Sequence, residues 1–194
     1  MDREVNWKKA EEFAAGMGSL SRGGFNPYGP WAQAIQESKW FNRVIGEWNF
    51  WGIKAPKWWH GKKVEVLTHE WVNSKLDICF ANNCPRFGKE EHQHKIKRKE
   101  LFVDFNNIGH AMRFYANRIA RLYPAAWKNR GVVNLFFDGL QSGRWKWATD
   151  PVYADSLKRL YMQVYNDKEH KEVLEPRFRE YIMAIHGELM EGKA

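Results

Sequence analysis

Along most of the chain, apolar residues return every three or four positions, the period of a helix with one face turned inward. Residues 3–15 read as a short helix carrying Val5, Trp7, Phe13 and Ala14. A helix beginning at Pro30 or Trp31 places Trp31, Ala34, Ile35 and Ser38 on one stripe, and Pro at a first helical position forfeits no needed N–H. From Ile108 to Tyr123 the stripe is Ala111, Met112, Tyr115, Ile119 and Leu122. Thr149 or Asp150 followed by Pro151 signals another start, ahead of Leu157, Leu160, Tyr161 and Val164. A last helix is expected after Pro176, with Phe178, Tyr181, Ile182, Ile185 and Leu189 inward.

Two stretches break this rhythm. Residues 16–30 contain five Gly and two Pro and read as a loop. Residues 62–72, KKVEVLTHEWV, alternate and are rich in β-branched side chains, so a strand is expected. A turn at Asn73–Lys75, a second strand at Leu76–Ala81 and a returning strand in HKIKRKELFVDF follow. The pattern describes an α+β chain, mostly helical, with a small antiparallel β-hairpin lobe.

Composition changes this picture in two respects. The 194 residues include 11 Trp, 12 Phe and 7 Tyr, more aromatic surface than a plain aliphatic core requires, and a Trp face suits a sugar ring or a base. The formal net charge of +8 draws the protein towards polyanions, whether nucleic acid, headgroups or an anionic envelope. Two cysteines are too few for a disulfide framework. The opening residues show no apolar run of signal-peptide type, and no run of 18 apolar residues occurs, which leads to the expectation of a protein kept in the cytosol until released to the periplasm or cell wall.

The candidate chemistry is carboxylate chemistry. Cutting a glycosidic bond takes a proton donor for the leaving oxygen and a second carboxylate. The donor must stay protonated near neutral pH and so belongs in a partly apolar pocket. Glu37, flanked by Trp31, Ile35 and Trp40 and lying at the border of its helix stripe, has such neighbours, and Glu70 on the strand is placed to face it. Glu65 is the alternative to Glu70, and a surface pairing with Lys39 or Arg43 is the plain alternative for Glu37. Residue chemistry alone leaves these open.

The order of four segments resolves more. AQAIQESKW, then NFWGIKA, then THEW, then WATDPVYADSL, spread over about residues 28–165, resembles the glucosaminidase-type peptidoglycan hydrolases of glycoside hydrolase family 73, which include flagellar muralytic proteins, autolysins and phage endolysins. The resemblance implies a lysozyme-like fold for residues 1–166, with residues 167–194 a helical extension packed on it. It puts Glu37 at the general-acid position and Glu70 at the second carboxylate. Asn49, Gly52, Ile53 and Lys54 match the family's cleft-side loop. It also implies cleavage of β-1,4 bonds after N-acetylglucosamine in peptidoglycan glycan strands, without a cofactor, by a monomer. Three positions depart from the pattern: Trp147 stands where a catalytic tyrosine is usual, Lys39 where glycine is usual, and Trp51 where phenylalanine is usual. Asn49, Trp51, Trp58, Trp59 and Trp147 are the expected substrate contacts, lobe packing being the alternative for the tryptophans.

The missing signal peptide and the absence of a wall-binding repeat favour a compact phage endolysin, and the positive charge fits an anionic envelope. The rivals are a muramidase of the same fold cutting the alternate bond, and a peptidoglycan-binding module weakened in turnover. Cys79, Cys84, His92 and His94 offer zinc-type ligands, but their spacing fits no zinc module, so free thiols and no metal are expected. No nucleic-acid-binding motif accompanies the charge, and no specific nucleic acid is expected.

Overall fold

The computed structural model describes residues 4–73 and 93–191. Eight helices and one two-stranded sheet follow one another in these segments: α1 Trp7–Gly16, α2 Gly18–Arg22, α3 Tyr28–Ser38, β1 Lys63–Asn73, β2 Gln93–Val103, α4 Ile108–Leu122, α5 Pro124–Lys128, α6 Val133–Gln141, α7 Tyr153–Asn166 and α8 Lys168–Glu191. Among the described residues no helix is long and apolar enough to cross a membrane.

The helix starts follow local capping. The Asn6 side chain accepts from the Lys9 N–H, and Asn107 does the same for His110 at the head of α4. At α3 the Asn26 side chain accepts from Tyr28 N, so the helix begins two residues before Pro30, which still falls among the first N–H positions that need no helical partner. At α7 the Asp150 carboxylate accepts from Val152 N and its carbonyl accepts from Tyr153 N. Asp150 therefore closes the turn ahead of the helix, and Pro151 lies in that turn.

Three expectations are corrected. The glycine-rich stretch 16–30 is not all loop, because Gly18–Arg22 forms α2. Gly18 is buried at its head, beside the ends of the Glu180 and Arg177 side chains of α8. The last helix starts at Lys168, with Pro176 inside it, and Asp167 accepts from His170 N at its head. Its inward face is His170, Leu174 and Tyr181, while Phe178 and Ile182 of the expected stripe are exposed. Finally, α5 and α6 fill a stretch the apolar pattern left unassigned. Val133, Phe136, Phe137 and Leu140 of α6 are buried.

β1 and β2 pair antiparallel from Lys63↔Val103 to Asn73↔Gln93, as the alternation predicts. Asn73 is a strand residue, and the expected strand at Leu76–Ala81 lies outside the described residues. The segment before β1 is laced to the base of β2, with Val103 N donating to Ile53 O and Ala55 N to Leu101 O. The Lys54–Glu100 ion pair adds to this seam.

The core is aromatic. Phe13 meets Phe50 and Trp51 edge-on at centroid distances of 4.9 and 5.1 Å, and Trp31 meets Phe41 at 4.9 Å. Each such contact adds roughly 1 kcal/mol beyond burial. The last helix joins this core through His170, whose Nδ1 accepts from the Trp31 indole N–H at 3.3 Å. Burial pushes the His170 pKa down, which keeps that nitrogen an acceptor.

The α5–α6 crossing gives a stability test. A Cβ at Gly139 would stand 2.3 Å from Ala126 N and 2.5 Å from Ala126 Cα, both backbone atoms. Gly139→Ala should therefore cost about 2 kcal/mol despite its better helix propensity, read as a lower urea midpoint at unchanged slope.

Candidate active site

Glu37 sits one residue from the end of α3, and the chain then does something unusual. Lys39, Trp40 and Phe41 all have left-handed backbones, with φ of 50°, 61° and 64°. For side chains larger than glycine this costs about 1 kcal/mol each. Ser38 holds the turn: its buried hydroxyl donates to Ala34 O at 2.6 Å and accepts from Phe41 N at 3.0 Å, while its carbonyl accepts from Arg43 N at 2.7 Å. Trp40 and Phe41 are buried in the core and offset the strain. The helix thus stops abruptly, with Glu37 displayed at its end.

The Glu37 carboxyl is built into a directed relay. Tyr115 OH donates to Gln33 Oε1 at 2.7 Å, Gln33 Nε2 donates to Tyr153 OH at 3.4 Å, and Tyr153 OH donates to Glu37 Oε1 at 2.5 Å. The Trp147 indole N–H donates to the same oxygen at 3.1 Å. Oε2 faces Gly52, where a Cβ would stand 3.5 Å away. Gly52 has φ of 59°, a left-handed turn that asks for glycine. Burial pushes the Glu37 pKa up to about 7, and the two hydrogen bonds pull it partly back. Burial likewise raises Tyr115 and Tyr153 well above the ordinary phenol value, keeping both as donors. One carboxyl oxygen is thus oriented by the protein, the other lies beside Gly52 in a half-buried residue, and the proton sits poised near neutrality. That is the equipment of a general acid.

The other expected residues separate into two groups. Trp147 is where a donor to Glu37 is needed, its ring tilted against Tyr123 at 5.4 Å, so its indole N–H holds the acid. Trp58 is 60% exposed and free to meet a ligand. Trp51, Asn49 and Trp59 are corrected as substrate contacts. Trp51 has no exposed surface, stacks on Tyr115 at 3.9 Å and donates to Pro30 O. The buried Asn49 amide donates to Ile53 O and Val103 O and accepts from Ile53 N, stapling the Gly52 loop to β2. Trp59 is buried, donates to Lys62 O and packs on Phe105, Phe114 and His110.

Glu70 stands on β1 opposite Ile96, in the same alternating set as the half-buried Val64, Val66 and Thr68. Glu65 belongs to the exposed set and pairs with Lys99 at 2.8 Å. Cys79, Cys84 and His92 lie outside the described residues, and His94 pairs with Val72 on the sheet.

Sequence reading missed Gln33 and Tyr153. Tyr153 lies within the WATDPVYADSL segment, where attention fell on Asp150 as a cap. A buried glutamine beside two tyrosines leaves no periodic signal, since its partners come from α4 and α7.

The relay predicts a titration. Tyr153→Phe removes a hydrogen bond that favours the ionised carboxylate, so the Glu37 pKa should rise above about 7. Carbon-13 NMR of labelled glutamate reads this directly; a fall on substitution would show that Tyr153 does not stabilise the anion.

Comparison with known proteins places the fold in a family. Residues 18–166 match the glucosaminidase family model, described as mannosyl-glycoprotein endo-beta-N-acetylglucosaminidase. The peptidoglycan hydrolase FlgJ of Vibrio cholerae is 29% identical over 138 residues, covering 69% of this chain, which spans only 36% of that relative. Among solved structures, a mutant peptidoglycan hydrolase from Sphingomonas sp. A1 superposes with a TM-score of 0.58 at 26% identity, over 88% of this chain and 95% of that one. A truncated glycoside hydrolase domain of Salmonella typhimurium FlgJ shares the fold with a TM-score of 0.53 at 23% identity, over 82% and 99%. With a lysozyme-like arrangement of helices and hairpin, and a family match over most of its length, the chain belongs to the glucosaminidase family of glycoside hydrolases.

Proposed function

We propose that this chain hydrolyses the glycan strand of peptidoglycan at the β-1,4 bond after N-acetylglucosamine, with Glu37 as the proton donor. The observation that carries this reading is the Glu37 carboxyl: pKa raised to about 7, one oxygen held by Tyr153 and Trp147, the other beside Gly52. A carboxyl in that state gives its proton to a glycosidic oxygen as the C–O bond breaks, and the sugar left behind develops oxocarbenium-like charge. Glu70 is the second carboxylate of the proposal, meeting that charge or activating the water. Its strand set supports it over Glu65, which is engaged with Lys99 on the outer face.

Trp147 bears on the binding-module alternative. An indole cannot supply a phenolic oxygen, but here it donates to Glu37 while Tyr153 brings a hydroxyl to the same atom. A tyrosine is therefore present at the acid, which supports turnover over binding alone. The net charge of +8 supports work on an anionic envelope, and a bacteriolytic endolysin released to the wall is the setting we propose for it.

Purified peptidoglycan tests the reading. The wild-type protein should clear a wall suspension, and Glu37→Gln, checked for folding by circular dichroism, should be slower by about 10²–10⁴-fold. Products should carry N-acetylglucosamine at the new reducing end. Reducing N-acetylmuramic acid would instead identify a muramidase, and equal clearance by the variant would remove Glu37 from the role of acid.

A further inference from the structure

A groove lies between α4 and the segment before β1. Trp58, Phe114, Asn117, Arg118 and Arg121 line it, and its volume is about 250 Å³. Its base is aromatic, with Trp58 and Phe114 at 6.1 Å, while α4 supplies the polar wall. That helix, IGHAMRFYANRIARL, contains three arginines and no acidic residue. Among the described residues neither Arg118 nor Arg121 has a carboxylate partner. The Arg118 guanidinium hydrogen-bonds the Tyr123 hydroxyl and still leaves its buried Nε without an acceptor. Such a cation calls for an anion. The groove is also coupled to the acid, since the Arg118 guanidinium lies 5.7 Å from the Trp147 ring and Trp147 donates to Glu37.

We infer that this groove binds the carboxylate-bearing stem peptide of the strand being cut. The inference rests on the peptidoglycan reading above and names a further part of the substrate. The sugars of the strand carry no free carboxylate where their lactyl groups are amide-linked to stems. The negative charge is then on the stems, which branch from alternate sugars and so lie beside any scissile bond. A volume of 250 Å³ is below the roughly 300–1,000 Å³ of pockets that enclose a whole small ligand. It suits one branch of a polymer held elsewhere. Arg121 and Arg118 meet the stem carboxylates, Asn117 meets the peptide backbone, and Trp58 covers the aliphatic part. Preference for strands with intact stems follows.

The test uses the full chain carrying Glu37→Gln, so that strands bind without being consumed. Its affinity is measured by calorimetry for soluble glycan strands bearing stems and for the same strands stripped by an amidase, which frees one lactyl carboxylate per stripped sugar and so removes the peptide while leaving the strand anionic. Stem-bearing strands should bind about fivefold or more tighter. Adding Arg121→Gln should remove most of that difference, whereas Arg144→Gln, an exposed cation between α6 and α7, should leave it. Equal affinity for both strands overturns the stem site while leaving the glycan reading intact. Equal loss from Arg121→Gln and Arg144→Gln overturns it in favour of diffuse charge attraction. Binding to neither strand overturns the substrate reading and the stem site together.

Discussion

Everything at this site depends on the cost of burying one carboxyl. Glu37 is drawn far enough from water that its proton is retained to about pH 7, yet it is hydrogen-bonded well enough to be tolerated. Without the burial it would be an ordinary ionised glutamate on a helix end. Without Tyr153 and Trp147 the same burial would leave the anion without donors at the moment it forms. Three helices and one loop are arranged around that compromise: α3 carries the acid, α4 and α7 carry the tyrosines, and the Trp147 loop brings the indole.

The supports of this arrangement lie behind the cleft. Ser38 and the left-handed turn at Lys39–Phe41 end α3 where the acid is needed, and the aromatic core holds the turn in place. Asn49 holds the Gly52 loop against β2, so that the backbone beside Oε2 is fixed. On the other side, the Gln141 side chain bonds Ala148 through both its amide groups and reaches Asp150 O, fixing the loop that carries Trp147. The last helix reaches the same framework through His170 on Trp31, a residue of α3. Residues that look like substrate contacts when counted as aromatics or loop polars, such as Trp51 and Asn49, turn out to be part of this backing.

Several features were legible in the residues. Period 3.6 located α1, α3, α4 and α7, and alternation located β1, because an element that buries one face must repeat apolar residues at its own pitch. Motif order located Glu37 and its segment. The errors have physical causes too. Glycine at 16 and 18 reads as a loop signal, but Gly18 opens a short buried helix whose place is set by tertiary packing. Pro176 reads as a helix start, yet α8 runs through it with Asp167 at its head. In α6 the apolar residues crowd into nine positions, too few for a periodic stripe to stand out.

What the sequence determined by itself is the class of fold, the family and the segment that carries Glu37, since these rest on local spacing and on residues that stand in a fixed order. What only the tertiary structure decided is the acid's state. The pKa of Glu37 depends on how much protein surrounds it, and its donors come from positions 147 and 153, 110 and 116 residues along the chain. The same holds for the tryptophans. A tryptophan has one composition whether it stacks on Tyr115, donates to a carboxyl or faces a groove, and burial is a property of neighbours brought together by folding.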